Sequence, residues 1–199
     1  SREMTASSDL DFILLYDAPD ATAESDGARP LAASQYFARL TQRLVAAVTA
    51  PTSEGVLYNA DMRLRPSGNA GPLATSLTAF TLYQTDSAWT WEHLALTRAR
   101  VIEADAGFGT RIEAVIAEVL ARPPDREKIV VDVIAMRTLM AKERPPRHPF
   151  DLKLVPGGLV DLEFIAQSAQ LVARPTIDRP GAPAPVVLAR LAETGLLAE

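Results

Sequence analysis

The feature that most constrains this fold is a change in hydrophobic periodicity at about residue 75. Before it, the apolar run at 10–16 and the alternating stretch at 54–65 are typical of short strands, and residues 33–50 carry one helical apolar stripe. After it, apolar side chains recur at helical spacing over residues 76–143. This order predicts an α+β chain in which most strands lie near the beginning.

Periodicity and prolines together divide the chain into four segments. We expect an α/β core over residues 1–75 and a helical region over 76–148. The alternating run FDLKLV and a Gly-Gly turn predict a strand pair and a helix over 149–172, which complete the core. A proline-rich stretch followed by another apolar stripe predicts that residues 173–199 form a loop and the start of a C-terminal helical domain.

The composition argues against several classes of protein. The 199 residues include 20 Lys and Arg against 25 Asp and Glu, a net charge of −5, whereas nucleic-acid binding favours a basic surface. The absence of cysteine excludes disulfides, Cys-ligated zinc and thiol catalysis, and is compatible with the reducing cytoplasm, which is the expected compartment. No apolar run reaches the roughly 18 residues that span a bilayer, so no membrane association is expected.

Two carboxylates stand at the beginning of the first predicted strand. Asp9 and Asp11 are two residues apart, so in an extended segment both side chains point to the same face. Neighbouring carboxylates repel each other unless a positive charge lies between them, and Mg²⁺ commonly binds one or two carboxylates plus substrate phosphate oxygens. The pair therefore indicates either a metal site or, as an alternative, a solvated strand end or helix cap.

A third carboxylate lies in the middle of the second predicted strand. Asp61 shares the polar face of that strand with Arg63 and Arg65. One carboxylate followed by two guanidinium groups suits a cleft that holds a metal at one end and a phosphate at the other. The alternative is a ladder of surface ion pairs, which is common and contributes little energy.

Four blocks of sequence resemble the glutamine synthetase adenylyltransferase/deadenylylase family. The blocks are SREMTASSDLDFILLYD, LYNADMRLRPSGNAGPL, AWTWEHLALTRARVI and PGGLVDLEFIAQ, in the family's order. Members have two homologous halves, one that attaches AMP to a tyrosine of glutamine synthetase and one that removes it by phosphorolysis. The segments SSDLD, RLRPSG and AWTWEHLALTRARV are more similar to the C-terminal, adenylylating half.

The resemblance implies a polymerase-β-like nucleotidyltransferase core, with a small mixed sheet and helices, followed by a mainly helical region. It implies that Asp9, Asp11 and Asp61 are catalytic ligands of Mg²⁺ and that ATP is the nucleotide substrate. Glutamine synthetase is then the protein substrate, and the PII signal protein is the regulator. Two metal ions stabilise the attacking and leaving oxygens of an in-line displacement in such sites.

Two further groups of candidate residues surround these carboxylates. The candidates for nucleotide or phosphate binding are Ser1, Ser8, Arg63, Arg65, Ser67 and Gly68, with ion pairing or a plain surface turn as the alternative. The candidates for a supporting charge network are Lys153, Asp161, Glu163 and Arg98. If 159–163 is extended, Asp161 and Glu163 share a face, and they either add charge to the metal cleft or, as we favour, orient Arg63 and Arg98.

The chain departs from the family pattern at its beginning. Ser1 occupies the second position of the family's Gly-Gly or Gly-Ser pair, and the preceding glycine and its lead-in strand are absent. The expectation is therefore a fragment of a longer protein. Phosphorolytic deadenylylation and a catalytically silent docking module for glutamine synthetase remain as alternative functions.

Overall fold

The computed structural model describes residues 4, 8–18, 20, 22–173 and 181–195. It divides between Ala88 and Trp89 into two compact units, the N-terminal unit and the helical unit. The predicted end of the α/β core, residue 75, falls inside the N-terminal unit. Helices and short strands occur together in the described chain, in agreement with the α+β expectation.

The N-terminal unit contains short strands and two helices. Its elements are β1 (Leu10–Asp11), β2 (Leu14–Tyr16), α1 (Ala33–Val48), β3 (Pro51–Thr52), β4 (Gly55–Val56), β5 (Ala60–Asp61), β6 (Ala74–Ser76) and α2 (Leu77–Asp86). Parallel pairing joins β1 to β5 and β2 to β6, and antiparallel pairing joins β3 to β4. The two parallel pairs connect the beginning of the unit to segments 50 and 60 residues later.

The predicted long strand over 54–65 is wrong. Its residues form two short strands, β4 and β5, which are interrupted at 57–59 and pair with different partners, and strand structure ends at Asp61. The Asp61 carboxylate accepts a hydrogen bond from the backbone N–H of Arg63 at 2.9 Å, which closes a local turn. Further turns follow, with the backbone N–H of Arg65 donating to the carbonyl of Met62 at 3.2 Å. The side chain of Asp61 therefore competes with the sheet for the backbone and ends β5.

The inward face of α1 also differs from the predicted stripe. Leu40 and Leu44, which periodicity assigned to the core, are each 43% exposed, whereas Thr41 is fully buried. The Thr41 hydroxyl donates to the carbonyl of Phe37 at 2.7 Å, so its burial leaves no unpaired donor. Phe37 stacks on Tyr16 of β2, with ring centroids 4.5 Å apart. The helix is thus rotated toward Phe37 and Thr41.

The helical unit contains α3 (Thr90–Leu96), α4 (Ala106–Leu120), α5 (Arg126–Glu143), α6 (Leu159–Ala173) and α7 (Ala184–Glu193). One core lies where α3, α5 and α6 meet, around Leu94, Ile129 and Leu171. A second lies between α6 and α7, around Val187 and Leu191. Asp105 and Asp125 cap the N-termini of α4 and α5, where each side chain accepts a hydrogen bond from a backbone N–H of the first turn.

The predicted strand pair within residues 149–172 is wrong, although the predicted helix is present as α6. The carbonyl of Asp151 accepts backbone N–H groups from Leu154 and Val155, each at 3.0 Å, so the segment coils into turns. A Cβ on Gly158 would lie 2.5 Å from the carbonyl oxygen of Leu152, so this close chain reversal requires glycine. An alternating run of six residues is too short to distinguish a strand from such turns.

Among the helices in the described part of the chain, none is both long enough and apolar enough to cross a membrane.

Candidate functional site

The pairing of β1 with β5 brings two of the predicted metal ligands together. Asp11 lies directly opposite Asp61 in the parallel register, and Leu10 lies opposite Ala60. Opposed residues on paired strands point to the same face of the sheet, and neighbouring strands are about 4.8 Å apart. Asp9 lies two residues before Asp11, next to the same edge. Two strands separated by about 50 residues in sequence therefore place Asp11 and Asp61 side by side.

A cleft of about 600 Å³ opens beside this strand pair, within the range of roughly 300–1,000 Å³ that is usual for small-molecule sites. Asp9, Asp61, Arg63 and Arg65 supply charged groups to its lining. The C-terminal half of α1 supplies neutral ones, and the lining also includes Asn59, Met62, Asn69 and Leu73. Asp11 is not among the lining residues. The cleft therefore combines a charged strand-and-loop side with an uncharged helix side.

Arg63 binds the carboxylate of Asp61 directly. Its Nε donates to Asp61 Oδ1 at 3.0 Å and to Oδ2 at 2.8 Å, and its Nη2 also contacts Oδ2. The hydrogen bond from the Arg63 side chain is the main cause that lowers the pKa of Asp61 below its usual value. The pKa of Arg63 is raised chiefly by its hydrogen bond to Asp61, with smaller contributions from the charges of Asp11 and Asp9. All three carboxylates thus act electrostatically on one guanidinium group.

Arg65 has a different environment from Arg63, so the prediction that both project from one strand face with Asp61 is wrong. Arg65 is 6% exposed, and its guanidinium donates to the carbonyls of Met62 at 2.8 Å and Gly71 at 3.4 Å. Because β5 ends at Asp61, Arg65 turns inward and holds the following loop. The exposed guanidinium in this segment is that of Arg63, whose side chain is 64% exposed.

The loop that Arg65 holds has a tightly constrained backbone. Ser67 has a positive φ of 62°, and Gly68, at φ 54°, begins a short 3-10 turn over Gly68–Ala70. A Cβ on Gly71 would lie 1.9 Å from the carbonyl oxygen of Pro66, so only glycine fits there. The loop therefore has one defined shape, which places Asn69 in the cleft lining. Ser67 and Gly68 remain candidates for nucleotide binding on sequence grounds.

The three predicted carboxylate ligands do not form an assembled metal centre. Across the described residues, no three His, Cys, Asp or Glu side chains lie close enough together to hold a metal ion. The donor chemistry still fits Mg²⁺, since Asp11 and Asp61 present hard oxygen ligands from opposed positions. Asp61 would have to release Arg63 to act as such a ligand. Ser8 is half-buried just before β1, and Ser1 lies outside the described residues.

The predicted supporting network lies in the helical unit and consists of two separate ion pairs. Glu163 pairs with Arg98 at 3.3 Å, which is one of the pairings that we expected, whereas Arg63 is bound by Asp61. Asp161 instead pairs with Arg137. Because 159–163 is helical, Asp161 and Glu163 point about 200° apart around α6 and do not share a face. Lys153 lies exposed in the turns before α6.

Sequence reasoning missed Arg137 and the helix side of the cleft. Asp161 also accepts the backbone N–H of Gly157 at 2.6 Å, and Arg137 donates to the carbonyl of Leu154 at 3.3 Å. Together they fasten the 150–158 turns to α5. Arg137 is 24 residues from Asp161, so no local pattern identified the pair. The helical spacing of Gln42, Val45 and Ala46 was visible in the sequence. That these three residues line the cleft beside Asp61 was not.

We expect Asp161→Asn to lower the free energy of unfolding by about 1 kcal/mol at neutral pH, because it removes a charged acceptor of Arg137 and Gly157. The hydrogen bond from Arg137 lowers the pKa of Asp161 in the folded protein. Its contribution is therefore present above the unfolded pKa of about 3.9 and is lost as the pH falls through the lower folded value. Urea unfolding of both proteins should show a difference at about pH 7 that shrinks below about pH 4. An equal difference in unfolding free energy at about pH 7 and below about pH 4 would contradict the stabilising role of ionised Asp161.

Comparison of the sequence with known proteins identifies its family. The family profile described as glutamate-ammonia ligase adenylyltransferase matches residues 1–115. A bifunctional glutamine synthetase adenylyltransferase/adenylyl-removing enzyme of Brucella suis biovar 1 (strain 1330) is 62% identical over 171 residues, which are 86% of this chain and 17% of that protein. Proteins of the same description are 60% identical over 87% of this chain in Rhizobium meliloti (strain 1021), and 59% identical over 86% in Rhodopseudomonas palustris (strain TIE-1).

The chain spans 17–18% of the length of these relatives. The profile match covers more than half of the 199 residues and includes Asp9, Asp11, Asp61 and the cleft beside them. On this evidence the chain belongs to the glutamate-ammonia ligase adenylyltransferase family.

Proposed function

We propose that this chain carries a nucleotidyl-transfer site that moves AMP from ATP to a tyrosine of glutamine synthetase. The observation that carries the proposal is the register of Asp11 opposite Asp61, beside a cleft that Asp9, Asp61 and Arg63 line. We infer that the N-terminal unit is the polymerase-β-like nucleotidyltransferase core. The names of the relatives, which describe adenylyl transfer and adenylyl removal on glutamine synthetase, support the choice of substrate.

In this proposal Asp9, Asp11 and Asp61 hold Mg²⁺. When bound, Mg²⁺ neutralises charge on the triphosphate and on the departing pyrophosphate. The phenol oxygen of tyrosine forms a bond to the α-phosphorus of ATP as the bond from that phosphorus to the β-phosphate oxygen breaks. A phenol has a pKa near 10, so the carboxylate of Asp61 must help the attacking oxygen to lose its proton.

Arg63 has a second role in the proposal. Its guanidinium is exposed and binds the carboxylate of Asp61. A guanidinium matches phosphate oxygens as well as it matches a carboxylate, so Arg63 is suited to leave Asp61 and bind the triphosphate. This exchange frees Asp61 at the moment when the nucleotide arrives.

Resemblance of SSDLD and RLRPSG to the adenylylating half favours transfer over removal. The proposed partners are glutamine synthetase as protein substrate and the PII signal protein as regulator. Removal uses the same site with inorganic phosphate as the acceptor. Both directions therefore require the same three carboxylates, and only the products distinguish them.

The test is to incubate the protein with glutamine synthetase, ATP and Mg²⁺. The expected products are AMP on a glutamine synthetase tyrosine, detected by mass spectrometry, and an equal amount of pyrophosphate. A parallel reaction contains modified glutamine synthetase and inorganic phosphate, and release of ADP there without transfer would assign the removing activity instead. Binding to glutamine synthetase in EDTA with neither reaction would identify a docking module and contradict the proposal.

A further inference from the structure

The uncharged side of the cleft is formed by one face of α1. Gln42, Val45 and Ala46 are spaced three and four residues apart, so they project from the same side of the helix. We call these three residues the α1 wall. None of them is charged, whereas the charged lining residues Asp9, Asp61, Arg63 and Arg65 all lie in strands or loops.

This division of charge corresponds to the division of charge in ATP, whose triphosphate is anionic and whose base is neutral. The charged groups of the cleft suit the metal and the phosphates. The α1 wall has no cationic group to neutralise a phosphate, and half-buried Val45 and exposed Ala46 offer a small apolar surface of the kind that packs against a planar ring. Buried Met62 and half-buried Leu73 extend the apolar lining.

The α1 wall also contains one side chain that can form hydrogen bonds. Gln42 is exposed, and within the described part of the chain its amide has no hydrogen-bond partner. An amide both donates and accepts, so it matches the adjacent amino donor and ring-nitrogen acceptor on adenine. Asn59 lies two residues before Asp61 and belongs to the charged side of the cleft.

We propose that the α1 wall binds the nucleobase and that Gln42 reads its hydrogen-bonding edge. The inference rests on the proposed function, because that function supplies the nucleotide. In this inference the choice of base depends on side chains of α1, and the transfer itself depends on the three carboxylates.

The experiment measures calorimetric binding of Mg·ATP, Mg·GTP and Mg·tripolyphosphate, which has no base. Gln42→Glu replaces the amide by a carboxylate that only accepts, which suits the two adjacent N–H donors of guanine better than the edge of adenine. We expect the ratio of ATP to GTP affinity to fall about tenfold or more. Tripolyphosphate affinity reports any general effect of the added negative charge.

Two further variants complete the design. Gln35→Glu adds the same charge to the same helix two turns away from Gln42, outside the cleft lining, and should leave the ATP to GTP ratio unchanged. Ala46→Phe fills the wall at an exposed position and should weaken ATP binding while sparing tripolyphosphate.

The outcomes separate this inference from the proposed function. If Asp61→Asn weakens Mg·ATP binding but Gln42→Glu and Ala46→Phe leave base selectivity unchanged, the α1 wall does not bind the base and the proposed transfer site stands. If the unsubstituted protein binds none of the three ligands, the proposed function fails and the inference fails with it.

Discussion

Asp61→Asn is expected to slow the proposed transfer of AMP to glutamine synthetase roughly 10³-fold, which corresponds to about 4 kcal/mol of lost transition-state stabilisation. The substitution removes the negative charge of the Asp61 side chain, which lines the cleft and lies opposite Asp11. Asparagine keeps nearly the same size and an oxygen that can accept from Arg63. The loss should therefore appear in the rate and in the affinity for Mg²⁺, measured by pyrophosphate release at a series of Mg²⁺ concentrations.

The matched control for this prediction is Asp26→Asn, which removes an exposed carboxylate in the same unit, outside the cleft lining. It should retain the full rate. Arg63 is 64% exposed, so the loss of its charged partner should affect thermal stability only slightly. An Asp61→Asn protein that transfers AMP at the normal rate would refute the role of Asp61.

Leu94→Ala is expected to lower the free energy of unfolding of the helical unit by about 3 kcal/mol, within the usual range of about 2–5 kcal/mol for buried leucine. Leu94 is 2% exposed and packs with Ile129 and Leu171, where α3, α5 and α6 meet. Truncation removes apolar contacts of α3 with α5 and α6 and leaves a cavity that the three backbones cannot fully close. Urea unfolding followed by helix circular dichroism measures the effect.

Leu139→Ala makes the same chemical change on α5 at a position that is 54% exposed. It should change the free energy of unfolding by no more than about 0.5 kcal/mol. Alanine is the better helix former, so helix propensity cannot cause a loss at either position. Equal losses for the two variants would mean that burial does not govern the effect, and would contradict the assigned core.

Helix periodicity was predictable because it depends on neighbours three and four residues away. The apolar spacing of Ile129 and Val133 correctly identified α5, and Asp125 caps its start. The cooperation of Asp9 and Asp11 with Asp61 was expected from residue types and from the family resemblance. The parallel register then places Asp11 and Asp61 opposite each other, although the three carboxylates are not assembled as a metal site.

Short extended segments were less predictable, since a run of a few alternating residues has the same pattern in a strand and in consecutive turns. Arg63 and Arg65 are two residues apart, yet one is exposed on Asp61 and the other is buried among loop carbonyls. Their separation arises because the side chain of Asp61 captures a backbone N–H and ends the strand. Such competition between side chain and sheet is decided by a few hydrogen bonds.

Residue types and their local spacing therefore determined the helices of the second half of the chain, the family and the identity of the acidic residues. Only tertiary structure decided which face of α1 turns inward, that Arg137 rather than a nearby cation pairs with Asp161, and that Gln42 lines the same cleft as Asp61. Local pattern encodes contacts within one or two helical turns. Contacts between residues that are distant in sequence depend on how whole helices and strands pack. Several packings are compatible with the same hydrophobic pattern, and burial and hydrogen bonding select among them.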